Sequence, residues 1–138
     1  MKTAIKILIA AVAIFLIIGV ASAANSADIF KAPSGLTASG NDTFADGQNH
    51  YIKVYNYTDE LYSKWFENDK GFSVNDYKNG NFFSLNYEDH YGILEIVEKD
   101  GNKYIIDSWT AKNPNESNAL KKNLENFNSV NDLKPIVT

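Results

Sequence analysis

Apolar and polar residues alternate in two segments of the stretch from His50 to Thr110. In the segment 50–57, Ile52 and Val54 fall on one side, whereas three tyrosines and a lysine fall on the other. This period of two is typical of a β-strand with one apolar and one wetter face. Segment 82–88 alternates as well, and 72–78, 93–99 and 104–110 are further candidate strands bounded by turn residues. The pattern predicts a sheet built from consecutive strands.

Short turn sequences separate these segments. Asn79-Gly80 and Asp100-Gly101 are turn pairs in which both positions favour a positive φ, so each predicts a tight hairpin. Between them, Glu88–Gly92 predicts a hairpin loop, because Asp, His and Gly tolerate turns and solvent. The strands are therefore expected to be antiparallel.

Two segments have helical spacing. After Thr58, a cap residue, the larger apolar side chains recur at helical intervals and predict a short helix that Lys70-Gly71 stops. A second helix is predicted to begin at Asn113-Pro114-Asn115-Glu116, where Glu116 would complete a capping box. Its apolar stripe consists of Leu120, Leu124 and Phe127.

These elements give the order β–β–α–β–β–β–β–α. The first strand is a short extended piece at 29–36, and residues 37–49 are interpreted as a loop. We predict an α+β fold in which two helices pack on a twisted antiparallel sheet of about five to six strands. The domain would span 29–138 and follow a linker at 24–28.

The chain begins with an export sequence. Lys2 and Lys6 precede an apolar run, and Ala21-Ser22-Ala23 is a small-x-small cleavage site, so residues 1–23 are interpreted as a signal peptide. The alternative is a retained membrane anchor formed by residues 7–24, whose length is near the lower limit for crossing a bilayer. Both interpretations place the domain outside the cytoplasm, either secreted or on the cell surface.

Composition excludes several classes of function. The chain has no cysteine, which excludes disulfides, thiolate metal sites and cysteine nucleophiles. All 13 basic residues are lysine and the net charge is −4. An acidic chain without arginine is a poor ligand for nucleic acid and for anionic lipids, so membrane contact is expected only through the N-terminal segment.

The candidate chemistry centres on the two histidines. Glu88, Asp89 and His90 are adjacent and could form a metal or acid–base site, and a zinc site would become available if His50 came close. The favoured interpretation is a turn, because adjacent residues point in different directions. We therefore predict no catalytic residue, no cofactor and no metal, and keep His50, Asp89 and His90 as the candidates to check.

Two acids interrupt apolar strands. Asp107 and Glu95 could be buried carboxylic acids with a raised pKa. The favoured prediction is a partly exposed position or a lysine partner, since acids are rarely fully buried.

Tyrosines offer a candidate partner surface. Tyr51, Tyr55, Tyr57 and Tyr91 could form a patch that binds a protein or a sugar ring. The alternative is that the second helix covers this face and the tyrosines belong to the core.

Export would also make three N-glycosylation sequons usable. They begin at Asn41, Asn56 and Asn115.

The layout resembles a known class of exported domain. An opening "IFKAPSGL", a sheet of hairpins, a helix after the first long strand and a final helix ending in "LKPI" resemble PsbP-like α/β sandwich domains and uncharacterised secreted proteins of low-GC archaea. The resemblance implies a non-catalytic assembly role and transfers no functional residue. We expect a non-enzymatic domain that binds a protein partner or a cell-envelope component. The alternative is a small metal-assisted or carboxylate-dependent hydrolase using His50, His90 and nearby acids.

Overall fold

A computed structural model describes residues 26–67, 73–77, 82–111 and 114–136. Four of the predicted features lie outside the described residues: the leader with its cleavage site, the helix stop at Lys70-Gly71, the Asn79-Gly80 turn and the Asn113 cap. Among the described residues, no helix combines the length and apolar character needed to cross a bilayer.

The described elements range from a strand of two residues to a helix of 15. The first part of the chain contains helix α1 (Ser26–Ile29) and strands β1 (Thr37–Ala38), β2 (Thr43–Ala45) and β3 (Tyr51–Asn56). Helix α2 (Asp59–Tyr62) continues into a π-helical segment, Ser63–Glu67. Strands β4 (Ser73–Tyr77), β5 (Phe82–Tyr87), β6 (His90–Lys99) and β7 (Asn102–Thr110) follow. A 3₁₀ turn (Pro114–Glu116) leads into helix α3 (Ser117–Asn131).

All strands in the described part of the chain join one open antiparallel sheet in the order β1-β2-β3-β7-β6-β5-β4. The α+β prediction is confirmed, with six strands of three or more residues and the two-residue β1 at one edge. The boundaries before His50 were wrong. Residues 29–36 form no strand, and the predicted loop at 37–49 contains β1 and β2. Strands of two and three residues are too short to show a period.

The hairpin turns follow local chemistry. Asp100 and Gly101 both have positive φ, 53° and 83°, and Lys99 pairs with Asn102, so the predicted tight turn is confirmed. The loop predicted at Glu88–Gly92 is shorter than expected. Tyr87 pairs with His90, so the turn consists of Glu88 and Asp89 alone. His90 therefore lies in strand β6 and its side chain belongs to a sheet face.

Helices cover both faces of the sheet, and we name each face after the helix that covers it. On the α3 face, Leu120, Leu124 and Phe127 pack in one cluster with strand residues such as Ile52 and Ile106. On the α2 face, Leu61 and Trp65 pack with Leu94, Ile96 and Ile105. Each fully buried leucine or phenylalanine contributes roughly 1.5–3 kcal/mol to folding, so both helices are held mainly by apolar burial.

Helix α3 also holds the first and the last described segments of the chain in place. The Asn131 side chain donates to the Lys31 carbonyl (2.9 Å) and accepts from the Lys31 N–H (2.6 Å), which ties the segment after α1 to the end of α3. Asp132 ends α3 in the left-handed conformation (φ 54°), and the chain then returns to β6, where the Ile136 N–H donates to the Ile96 carbonyl (2.7 Å). We call the end of the domain where α3 ends, beside Lys31, the lower end. The upper end is where β3 and β6 begin and β7 ends.

Candidate functional site

A histidine–aspartate pair lies on the α2 face at the upper end. His90 Nε2 is 2.7 Å from Asp107 Oδ2, the His90 side chain is 14% exposed and the Asp107 side chain is fully buried. The prediction of a partly exposed or lysine-paired Asp107 was therefore wrong. Leu61 and Trp65, which follow β3, pack on this face, and β7 is the central strand of the sheet. A carboxylate in β7 must therefore find its partner inside the protein.

Gly92 makes the room in which these two side chains meet. It lies opposite Trp109 in the β6–β7 register, two positions after His90 on the same face. A Cβ at position 92 would lie 2.2 Å from Asp107 Oδ1 and 3.2 Å from His90 Nε2. Any side chain here would occupy the place of the carboxylate, so the His90–Asp107 contact depends on glycine.

Three rings stack across the strands beside this pair. The Tyr51 and Trp109 rings are 4.5 Å apart at 25°, and the Trp109 and His90 rings are 4.5 Å apart at 18°. Because His90 leans over Gly92, its ring reaches Trp109 on the neighbouring strand. We call Tyr51, Trp109 and His90 the aromatic ladder. All three are half-buried, so one rim of the ladder reaches solvent.

The other tyrosines of the predicted surface have different surroundings. Tyr55 meets Trp65 edge-on, with centroids 4.8 Å apart, and Tyr57 lies 6.0 Å from Tyr62. Helix α2 and the π-helical segment after it, and not α3, therefore cover this face. Tyr91 points to the α3 face and is buried in its core. Of the four predicted tyrosines, the structure places only Tyr51 in the ladder.

His50 forms a separate ion-pair cluster at the upper end. Its Nδ1 is 2.7 Å from Asp46 Oδ2, and its Nε2 bonds to Glu116 Oε1. The carboxylates only accept, so both ring nitrogens must donate and the bonded ring is an imidazolium. Glu116 thus joins the 3₁₀ turn to the loop before β3. The capping box predicted for Glu116 requires Asn113, which lies outside the described residues.

The cluster shifts the pKa of both His50 and Asp46. Partial burial lowers the pKa of His50, but hydrogen bonds to Glu116 and Asp46 outweigh it, so that pKa is raised from 6.5. Burial likewise raises the pKa of Asp46, but the Gln48 N–H and the His50 ring outweigh it, so that pKa is lowered from 3.8. A raised histidine pKa stabilises the fold fully below pH 6.5, and this contribution is lost as the pH rises through the folded value.

We expect His50→Gln to lower the melting temperature by a few degrees at pH 6 and by less at pH 9. Glutamine is neutral at every pH, so it removes the contribution of the imidazolium only where that cation exists. Thermal unfolding of both proteins from pH 5.5 to pH 9 measures this. A difference that stays constant over the range would show that His50 contributes by packing alone.

The two histidines thus belong to separate groups. His50 binds Asp46 and Glu116, His90 binds Asp107, and Asp89 is exposed in the turn. The described part of the chain contains no group of three or more histidines and acids placed to hold a metal ion.

Acidic side chains accompany the ladder at the upper end. Glu88 and Asp89 are exposed in the turn directly before His90, and Asp46 and Glu116 hold His50 directly before Tyr51. Trp109 of the ladder and the adjacent Asp107 each have a buried polar side-chain atom, Nε1 and Oδ1, without a hydrogen-bond partner. The upper end therefore combines aromatic surface with negative charge.

The sequons differ in accessibility. Asn41 is exposed between β1 and β2, Asn115 is exposed in the 3₁₀ turn, and Asn56 is half-buried at the end of β3. Asn41 and Asn115 are therefore the more accessible acceptors.

Comparison with protein-family models, with curated proteins and with solved structures finds no match for this chain. The geometry of the upper end is therefore the basis from which a function is inferred.

Proposed function

We propose that this protein is an exported, non-enzymatic binding or assembly-support domain that takes a cationic segment of a protein partner on its aromatic ladder. The observation that carries the proposal is the stack of Tyr51, Trp109 and His90 at an acidic end of the sheet. The resemblance to PsbP-like assembly domains and the export sequence support the same role. A cell-envelope component with a basic segment is included in this class of partner.

The ladder is suited to binding because its rings are held in place before a partner arrives. Trp109 lies between two rings at van der Waals distance, and the His90 ring is fixed by its bond to buried Asp107. Preorganised aromatic side chains lose little conformational entropy on binding. Opposite Tyr51, β2 presents only Ala45, so the outer ring face of Tyr51 has a small neighbour.

Charge selects the partner. Glu88 and Asp89 are exposed beside the ladder, and aromatic ring faces attract cations. A lysine- or arginine-rich segment could place one cation near these acids and another over the Tyr51 ring. Anionic lipid would be repelled by the same charges.

The test is a titration with a lysine-rich peptide, such as hexalysine, followed by tryptophan fluorescence. The full chain in detergent micelles should carry Trp65→Phe, so that Trp109 alone reports. We expect saturable quenching that weakens at high salt. Tyr51→Ala should weaken binding about fivefold, since an exposed cation–π contact contributes up to about 1 kcal/mol.

The matched control removes the same number of negative charges at the lower end of the domain. Glu88→Gln with Asp89→Asn should weaken binding of hexalysine, whereas Asp100→Asn with Asp132→Asn should leave it unchanged, because these exposed acids lie away from the ladder. Equal effects of the two pairs, or equal quenching by hexaglutamate, would contradict the proposal.

A second candidate is a hydrolase centred on His90. A partly exposed imidazole oriented by a buried carboxylate is the arrangement of a general base. His50 does not fit that role, because carboxylates occupy both of its ring nitrogens. Turnover of simple esters or glycosides that disappears in His90→Ala and Asp107→Asn, with unchanged melting temperature, would favour this candidate over binding.

A further inference from the structure

Glu95 is an acid buried under helix α3. It lies on the α3 face of β6, opposite Ile106 of β7, and is 0% exposed. Its Oε1 accepts a hydrogen bond from Asn128 Nδ2 at 2.7 Å. The expectation of a partly exposed or lysine-paired Glu95 was therefore wrong, because α3 covers this strand.

The remaining two oxygens of this contact pose a bonding problem. Glu95 Oε2 and Asn128 Oδ1 are both buried, and neither has a hydrogen-bond partner. A carboxylate oxygen and an amide oxygen both accept, so they cannot bond to each other. A protonated carboxyl changes this, because its O–H can donate to the amide oxygen.

We propose that Glu95 is a neutral carboxylic acid in the folded protein and that it forms a ring of two hydrogen bonds with the Asn128 amide, so that the docking of α3 depends on one proton. Asn128 Nδ2 donates to Oε1, and the Glu95 O–H donates to Asn128 Oδ1. This arrangement satisfies both unpaired oxygens with no other group. It is independent of the binding role proposed for the ladder.

In the part of the chain that the structure describes, the buried side chains of the α3 face include no charged group other than Glu95. Apolar strand residues such as Val97 and Ile106 are buried on this face, and Tyr91 and Tyr104 are the other titratable side chains buried there among the described residues. The charged residues of α3 nearest to Asn128, Glu125 and Asp132, are exposed. Burial raises the pKa of Glu95 to about 8, although the Asn128 bond acts in the opposite direction.

The sign of the pH effect follows from this proton. An acid whose pKa is higher in the folded than in the unfolded state binds more protons when folded, so stability falls as the pH rises between the two values. For Glu95 that range runs from 4.5 to about 8. Within it, the unfolding equilibrium constant rises up to tenfold per pH unit.

The test compares the full chain with Glu95→Gln in urea unfolding from pH 5 to pH 9. Glutamine supplies the same two bonds without a proton, since its Nε2 donates to Asn128 Oδ1. We expect the ratio of the unfolding constants of the two proteins, original to variant, to rise up to tenfold per pH unit between pH 5 and pH 8 and to become level above. Glu98→Gln, an exposed change on the same strand, is the matched control.

A ratio that does not change with pH would overturn the proposal, as would an equal slope in the Glu98 control. Difference infrared spectroscopy gives a second measurement that does not depend on stability. The stretch of a protonated carboxyl should be present at pH 6 in the original chain and absent in Glu95→Gln. If it persists in the variant, the neutral acid is another residue.

Discussion

Replacing Gly92 with alanine is expected to destabilise the fold by about 3 kcal/mol, at the upper end of the range for an added methyl group in a packed site. The new Cβ would lie 2.2 Å from Asp107 Oδ1, closer than any real contact. Asp107 is fully buried between strands, so its carboxylate cannot move aside and keep its bond to His90. The substitution should therefore also disturb the aromatic ladder.

A double-mutant cycle identifies the cause. In an Asp107→Ala background the clashing oxygen is gone, and Gly92→Ala should then cost less than about 1 kcal/mol. Urea unfolding of the four proteins gives the coupling energy, and near-ultraviolet circular dichroism reports the stacking of Trp109. An equal cost in both backgrounds would show that the carboxylate is not the obstacle.

Replacing Asn131 with alanine should lower stability by about 2 kcal/mol, because the two bonds to the Lys31 backbone are lost at about 1 kcal/mol each. The Asn131 side chain acts here as a substitute for a strand neighbour, since it pairs with both the N–H and the carbonyl of one residue. These bonds hold the segment after α1 against the end of α3. The neighbouring residue Phe30 is buried in the core, where its ring contacts Tyr104 and Phe127.

Hydrogen exchange measures the local consequence of this change. Amides of residues 29–36 should exchange faster in Asn131→Ala, while those of β6 and β7 change less. Asn118→Ala is the matched control, because Asn118 is exposed on the same helix and its loss should alter stability by less than about 0.5 kcal/mol. Similar behaviour of both variants would refute the role of Asn131 as a tether.

The strands and turns after His50 were predictable because their causes are local. Alternation predicted β3 and β5, apolar runs bounded by turns predicted β6 and β7, and the two positive-φ residues of Asp100-Gly101 predicted their turn. The pattern failed where helices cover both faces. Strand β6 is buried at seven consecutive positions, Tyr91–Val97, so alternation no longer separates inside from outside. Glu95 and Asp107 were misjudged for this reason.

The site was only partly predictable. His90 drew notice as a titratable residue, but its bond to Asp107 depends on the register between two strands and on the absent side chain of Gly92. The Asp100-Gly101 turn sets the register that places Gly92 opposite Trp109, but the predicted five-residue loop left His90 and Gly92 outside strand β6, where a two-residue turn includes both. The pairing of His50 with Glu116 joins residues 66 positions apart, which no local pattern reports.

The hydrogen bonds between Asn131 and Lys31 place the first described residues at the lower end of the domain, opposite the ladder. The chain enters beside the end of α3, whereas the ladder lies beside its beginning, and the 15 residues of this helix separate the two by about 22 Å. A fusion or surface attachment at the N-terminus should accordingly leave the ladder accessible.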